Sequence, residues 1–347
     1  MDTFFIEFRD PLFGVIVFFV LLFVLSFFSY WWGRYKTARE HRDLQSFLGT
    51  FESLESSGNL SRQIHSNSLS NESWLMLAHS YEMQGNYEKS VEIYHALLSK
   101  TRDTTFQRDV LLLLGKNYFK AGFLERSRQT YLQILQNHPR TQAALRYLIL
   151  IYEALQQYDK ALEVMESLLE LSPEAEGERL YLECRALLGD YQVSTEEKAS
   201  RLIELYTLHH KMGYMIFEWL FLHRPALAWE HFDQSLALRL SDILWRVREE
   251  NLNLDIISQN TYLRELYTAK GITNLAEGST VFELDLLITL RKCGVQKASI
   301  QFEYGCSECK QVSFLAFHRC PQCHGIDTVF PTMALMKERY EENNSFQ

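Results

Sequence analysis

A mainly α-helical chain closed by a small β module near its C-terminal end is the fold class that these 347 residues predict. Three observations carry the prediction. They are an uncharged run near the N-terminus, a repetition of about 34 residues through the first half, and two C-x-x-C pairs near the end.

The uncharged run comes first. No Asp, Glu, Lys or Arg occurs in the 21 residues from Leu12 to Trp32. As a helix that run reaches roughly 31 Å, enough to cross the hydrocarbon core of a bilayer. Tyr30, Trp31 and Trp32 stand where an aromatic belt would meet the headgroups. A cleavable signal peptide fits less well: the run is too long, no small-residue cleavage site follows, and the flank of Glu7, Arg9 and Asp10 has no positive excess. Residues 1–33 are therefore expected to hold an uncleaved anchor that meets the membrane through residues 12–32. Arg34, Lys36, Arg39 and Arg42 follow the run, against Arg9 before it, so the positive-inside rule places the larger C-terminal part in the cytoplasm. Residues 34–72 read as a juxtamembrane helix around Leu44–Leu54 and then a Ser/Asn-rich loop from Ser56 to Asn71.

The repetition occupies the middle. One segment reads Trp74, Leu77, Ala78, Tyr81, Gly85, Tyr87, Ser90, Tyr94, Leu97. A second reads Leu111, Leu114, Gly115, Tyr118, Gly122, Leu124, Ser127, Tyr131, Ile134, Pro139. A third reads Leu145, Leu148, Ile149, Tyr152, Gln156, Tyr158, Ala161, Met165, Leu168, Pro173. The second and third are offset by 34 residues; the first and second are offset by 37, which places a three-residue insertion around Thr101–Thr105. The order large, Leu, small, Tyr, then small, aromatic and Pro matches the tetratricopeptide pattern. Small residues let the two helices of a hairpin approach, and Pro139 and Pro173 end the second helix. No single hairpin buries both faces, so the units must stack. Residues 73–295 are read as one array, clear to residue 173 and divergent beyond it. Arg179–Leu188 and Glu196–His209 form a helix pair with an expanded turn at Gly189–Thr195. Residues 213–292, broken at Pro225, Asn251–Asn253, Gly271 and Gly278, form two or three further hairpins.

The cysteine pairs close the chain. Cys306 and Cys309, then Cys320 and Cys323, are separated by ten residues. Each C-x-x-C turn aims two thiolates at one point, so two facing turns supply a closed tetrahedral S4 site for one iron or zinc ion. Residues 300–335 form this module and 336–347 a tail. Some thirty residues cannot build an adequate core without such an ion, and Phe314, Leu315 and Phe317 are expected to pack on the helical array. Cys184 and Cys293 read as buried small hydrophobes. Cys320-Pro-Gln-Cys323-His324 also satisfies the C-x-x-C-H signature for covalent haem. The expected cytoplasmic side and the unexplained pair Cys306/Cys309 speak against that reading, and His318 and His324 are expected beside the ion rather than on it.

Composition and motifs bound the function. Net charge is −9, with no basic stripe beyond the juxtamembrane cluster, which disfavours nucleic acid as a partner. With 6 Pro and 15 Gly, long disordered linkers are not expected. No glycine-rich phosphate loop, H-E-x-x-H or G-x-S-x-G occurs. His65, His79, His95, His138, His209 and His210 read as core or solvated residues, and Tyr81, Tyr118 and Tyr152 as packing residues at one repeat position. The chain is expected to be a non-enzymatic, membrane-tethered scaffold that takes protein partners on its repeats. The competing class is a membrane-associated redox protein whose Fe(Cys)4 centre passes electrons.

Anchor, tetratricopeptide array and terminal C-x2-C-x10-C-x2-C together resemble the lipopolysaccharide assembly protein B family of Gram-negative bacteria. The likeness is most specific where Tyr304-Gly-Cys306-Ser-Glu-Cys309, Cys320-Pro-Gln-Cys323 and Thr328-Val-Phe-Pro331 stand like that family's rubredoxin-like module. The resemblance implies an inner-membrane protein with its repeats in the cytoplasm. It further implies an adaptor that tunes lipopolysaccharide (lipid A) synthesis by bringing a membrane-bound ATP-dependent protease to the committing deacetylase.

Overall fold

The computed structural model of the protein describes residue 64 and residues 70–337 apart from 296. The expected anchor at 12–32 and the helix around 44–54 lie outside these residues. Among the described residues no helix is long and apolar enough to cross a membrane. The chain forms two compact units, one ending at Ala144 and one beginning at Leu145.

In the first unit, α1 (Asn71–Met83) and α2 (Tyr87–Lys100) form one hairpin, and α3 (Thr104–Lys120) and α4 (Leu124–Asn137) form another. Polar side chains start three of them: Ser70, Asn86 and Asp103 accept hydrogen bonds from Ser73, Lys89 and Thr105 amides. Gly85 and Gly122 turn each hairpin at φ of 76° and 80°, a left-handed conformation that costs glycine little. The recurring small positions do what the spacing requires. Ser127 donates to the Gly115 carbonyl at 2.8 Å. A Cβ on Gly115 would lie 2.7 Å from the Tyr131 ring, so α3 and α4 meet where no larger residue fits. Trp74, Leu77, Tyr81, Tyr94 and Leu97 are buried in the same core as Ile64. Ile64 is helical and fully buried, and its carbonyl accepts from Lys100 at 3.2 Å. The expected Ser/Asn-rich loop is corrected at that residue: one apolar side chain in a polar run is enough to seat it in the core.

The helix α5 (Gln142–Ala154), which spans the division between the units, and α6 (Tyr158–Leu169) complete the third repeat. Gln156 takes the left-handed turn (φ 56°) that glycine takes in the first two. A 3-10 turn opens at Pro173 and leads into α7 (Glu176–Gly189), and Ser194 caps α8 (Thr195–His209) after the expanded turn. Beyond this lies the segment read as two or three further hairpins. The segment forms six short helices: α9 (Gly213–His223), α10 (Pro225–Glu230), α11 (Ser241–Arg246), α12 (Leu254–Gln259), α13 (Thr261–Lys270) and α14 (Phe282–Lys292). Pro225 opens α10, Asn253 caps α12 and Gly271 ends α13, so each break falls at a residue with a conformational reason for it.

The chain closes in an antiparallel sheet of order β2-β1-β3, with β1 at Ala298–Cys306, β2 at Val312–Ser313 and β3 at Val329–Lys337. The β1–β3 ladder runs from Ala298↔Lys337 to Cys306↔Val329, which brings the first cysteine pair to the end of the sheet. Pro331 lies in β3, an edge strand, the position in a sheet where a proline is tolerated.

Candidate metal centre

The sequence singles out Cys306, Cys309, Cys320 and Cys323, and their sulfur atoms all lie within 4.8 Å of one another. Cys306 sits at the end of β1, and Cys309 follows in the turn toward β2. Cys320 and Cys323 lie in a second turn between β2 and β3. The two turns share one construction. The Lys310 amide donates to the Cys306 carbonyl at 3.0 Å, and the His324 amide donates to the Cys320 carbonyl at 2.9 Å. Lys310 and His324 each follow a cysteine pair and each takes a left-handed φ, 62° and 61°. Ser307 N–H to the Thr328 carbonyl (2.8 Å) ties the first turn to the approach to β3.

Four sulfurs at this spacing cannot all be anions without a compensating cation. Burial opposes ionisation of Cys306, yet the Thr328 hydroxyl and the amides of Cys309 and Glu308 prevail and bring its thiol down to about 6. Cys320 is pushed up, chiefly by burial. A hydrogen bond from the Gly325 amide favours the Cys323 thiolate, but burial and the neighbouring sulfurs outweigh it and push that thiol up to about 12. One sulfur ionises readily and at least two resist, the electrostatic condition that a divalent cation relieves. The donor set is compatible with zinc or iron. His318 and His324 fall outside the sulfur cluster.

The side chains that fix the module against the helices are not those that hydrophobicity suggests. Phe314 and Leu315 are 84% and 78% exposed, which corrects the expectation that they pack on the array; Phe317 is half-buried. The attachment is polar instead. Arg319, the residue before Cys320, donates through Nε to Glu153 on α5 at 2.7 Å and through Nη1 to Glu178 on α7 at 2.8 Å. Its guanidinium lies 4.9 Å from the centre of the Tyr181 ring, and the Tyr181 hydroxyl donates to Glu153 at 2.6 Å. His318 Nε2 meets Glu218 on α9 at 2.7 Å. Arg239, ahead of α11, pairs with Asp327 at 2.6 Å. Buried Asp242 on α11 accepts from Tyr214 at 2.8 Å and from Tyr304 at 3.0 Å, and Arg246 closes the group. Burial, and then the Asp242 carboxylate, raise both phenols, Tyr304 to about 12, so both remain donors. Sequence reasoning missed this ring of contacts. The signal available was Arg319 standing against one of the clustered cysteines in a segment with one other Lys or Arg.

Two remaining cysteines separate. Cys184 is buried, and its thiol is pushed up to about 12 chiefly by burial, as a small core residue should be. Cys293 is exposed just beyond α14, which corrects its expected burial. Tyr81, Tyr118 and Tyr152 are buried at equivalent positions of the repeats.

Comparison with known proteins agrees with the helical part. Two models described as tetratricopeptide repeat match residues 73–108 and 112–176. Lipopolysaccharide assembly protein B of Escherichia coli K12 is 28% identical over 102 residues, 29% of this chain and 26% of the relative. The same values hold for the protein of that name in Escherichia coli O157:H7. The matched stretch thus spans about a quarter of these relatives. Among solved structures, residues 41-end of MamA from Desulfovibrio magneticus RS-1 share 19% identity at a TM-score of 0.37, covering 47% of this chain and 90% of that one. A tetratricopeptide repeat protein from Parabacteroides merdae shares 16% identity at a TM-score of 0.35, covering 64% and 98%.

Proposed function

We propose that this protein is a non-enzymatic scaffold, tethered to the bacterial inner membrane, that holds protein partners on its repeats and carries one zinc or iron ion on Cys306, Cys309, Cys320 and Cys323. The observation that carries the reading is the convergence of four sulfurs in a module bolted to a tetratricopeptide array through Arg319. Tetratricopeptide hairpins present helix faces suited to protein partners. The ion supplies the folding energy that so small a sheet lacks, and the ring of ion pairs passes that order to α5, α7, α9 and α11.

The 28% identity to lipopolysaccharide assembly protein B supports a finer assignment. In it, the chain regulates lipopolysaccharide (lipid A) synthesis by coupling a membrane protease to a biosynthetic enzyme. An anchor at residues 12–32 would confine that encounter to the membrane plane and raise its effective concentration. Purification of the tagged full chain from detergent-solubilised membranes, read by mass spectrometry and elemental analysis, tests both levels. The expected result is one zinc or iron ion per chain and co-purifying protease and lipopolysaccharide-synthesis proteins, lost in Cys306→Ser. Iron with a reversible visible spectrum and no partner would replace the scaffold with an electron carrier.

A further inference from the structure

The apolar residues expected against the helices point elsewhere, and they form a built tip. Val312, Phe314 and Leu315 are 55%, 84% and 78% exposed, and Phe330 is 40% exposed. The ladder sets Val312 and Phe330 on either side of Gly305, so their side chains share one face of the sheet. A Cβ at Gly305 would fall 2.5 Å from the Phe330 ring, so the far end of that ring covers the glycine. The tip continues the sheet from which the first cysteine pair extends.

Three properties of this tip suit it to the interface of a phospholipid bilayer. Three of its backbone groups are satisfied by its own side chains. The Ser313 hydroxyl donates to the Leu315 carbonyl at 2.9 Å and accepts from the Leu315 amide at 3.2 Å, and the Gln311 side chain donates to the Val312 carbonyl at 3.2 Å. A loop that enters lipid must bring such partners with it, because hydrocarbon offers none. Its charge is also of the right sign. No Asp or Glu occurs from residue 309 to 326, in a chain with 44 acidic residues and net charge −9, and Lys310 stands at the base of the tip. Of the flanking acids, Glu308 is turned onto Gly325 and Cys323 of the second turn, and Asp327 is paired with Arg239. Finally, the chain carries its own route to lipid in the uncharged run from Leu12 to Trp32, separated from Ser70 by 37 residues.

We infer that Phe314 and Leu315, with Val312 and Phe330 behind them, insert into the headgroup region of the membrane that holds the anchor. A few apolar side chains bind lipid weakly, but weak insertion becomes effective as the second signal beside an existing anchor. The tip would then orient the metal module against the bilayer. This rests on the anchor in the proposed function.

The test uses the full chain in vesicles of phosphatidylethanolamine and phosphatidylglycerol, with photoreactive benzoylphenylalanine replacing Phe314. The same probe replacing Tyr191, which is 98% exposed on the loop between α7 and α8, is the control. Lipid adducts about tenfold more abundant at 314 than at 191 are expected if the tip is interfacial. Replacing Leu315 with Glu in the 314 probe chain should remove most of that excess while metal content stays unchanged. Equal labelling at the two positions overturns the inference, as does crosslinking of 314 chiefly to a second copy or to another protein. Alkaline carbonate extraction reads the anchor separately. A chain that resists extraction while its tip ignores lipid refutes the insertion and leaves the anchor standing.

Discussion

Arg319 concentrates more interactions than any neighbouring side chain of the second cysteine turn. Its fork meets two carboxylates on two helices while its face covers Tyr181. A planar guanidinium achieves this and an ammonium cannot. Arg319→Ala leaves Glu153 with the Tyr181 hydroxyl and no cation, and Glu178 with only Arg146 at 3.6 Å, and chemical denaturation should show a loss of about 3 kcal/mol. Arg319→Lys should recover part of that and not all. In the first unit, Glu82 is buried beside Lys120 at 2.6 Å. Burial raises its carboxyl, but the hydrogen bond and charge of Lys120 outweigh it, so the group titrates below its ordinary 4.5. The sign follows from linkage: the stabilisation is complete above about pH 4.5 and is lost as pH falls through the lower folded value. Denaturation midpoints should therefore fall more steeply with acid in the native chain than in Glu82→Gln.

At the scale of elements, the tight hairpin crossing of α3 and α4 yields the clearest prediction. Gly115→Val would drive a branched side chain into the Tyr131 ring, which cannot retreat because it is itself buried, and should cost about 2 kcal/mol in thermal or urea unfolding. The six helices α1 to α6 were legible in the sequence because their buried positions recur at fixed offsets. A glycine or its substitute marks each turn, and Gln156 shows that the turn persists where glycine does not. The helices from α9 to α12 were not legible in the same way. Three of them are six residues long, less than two turns, so no apolar period has room to repeat. The clustering of the four cysteines could be read directly because their spacing is local. Their attachment could not, since Glu153 and Glu178 lie 166 and 141 residues from Arg319 and no short motif joins them. The exposure of Phe314 and Leu315 was misread for a related reason: hydrophobicity specifies a wish for burial and says nothing about what provides it.

For the whole molecule, the sulfur cluster and the polar ring together predict a linked response. Adding a chelator, or changing Cys306 to Ser, should speed amide hydrogen exchange throughout β1 and β3 if the proposed ion is bound. Exchange should also rise in α5 and α7, whose Glu153 and Glu178 share Arg319. Loss of protection confined to the sheet would show that the module and helices order independently. A reporter fused after Gln347 should be active on the cytoplasmic side of the inner membrane, the placement that keeps four thiols reduced. The burial of those thiols is uneven in a way that sets a rate. Cys306 and Cys320 lie inside, whereas Cys309 and Cys323 open to solvent. An ion bound there would be departed from and approached along one edge, by ligand substitution at that accessible pair. Acceptor thiols in solution should then accelerate its exchange in proportion to their concentration, with no need for the fold to open first.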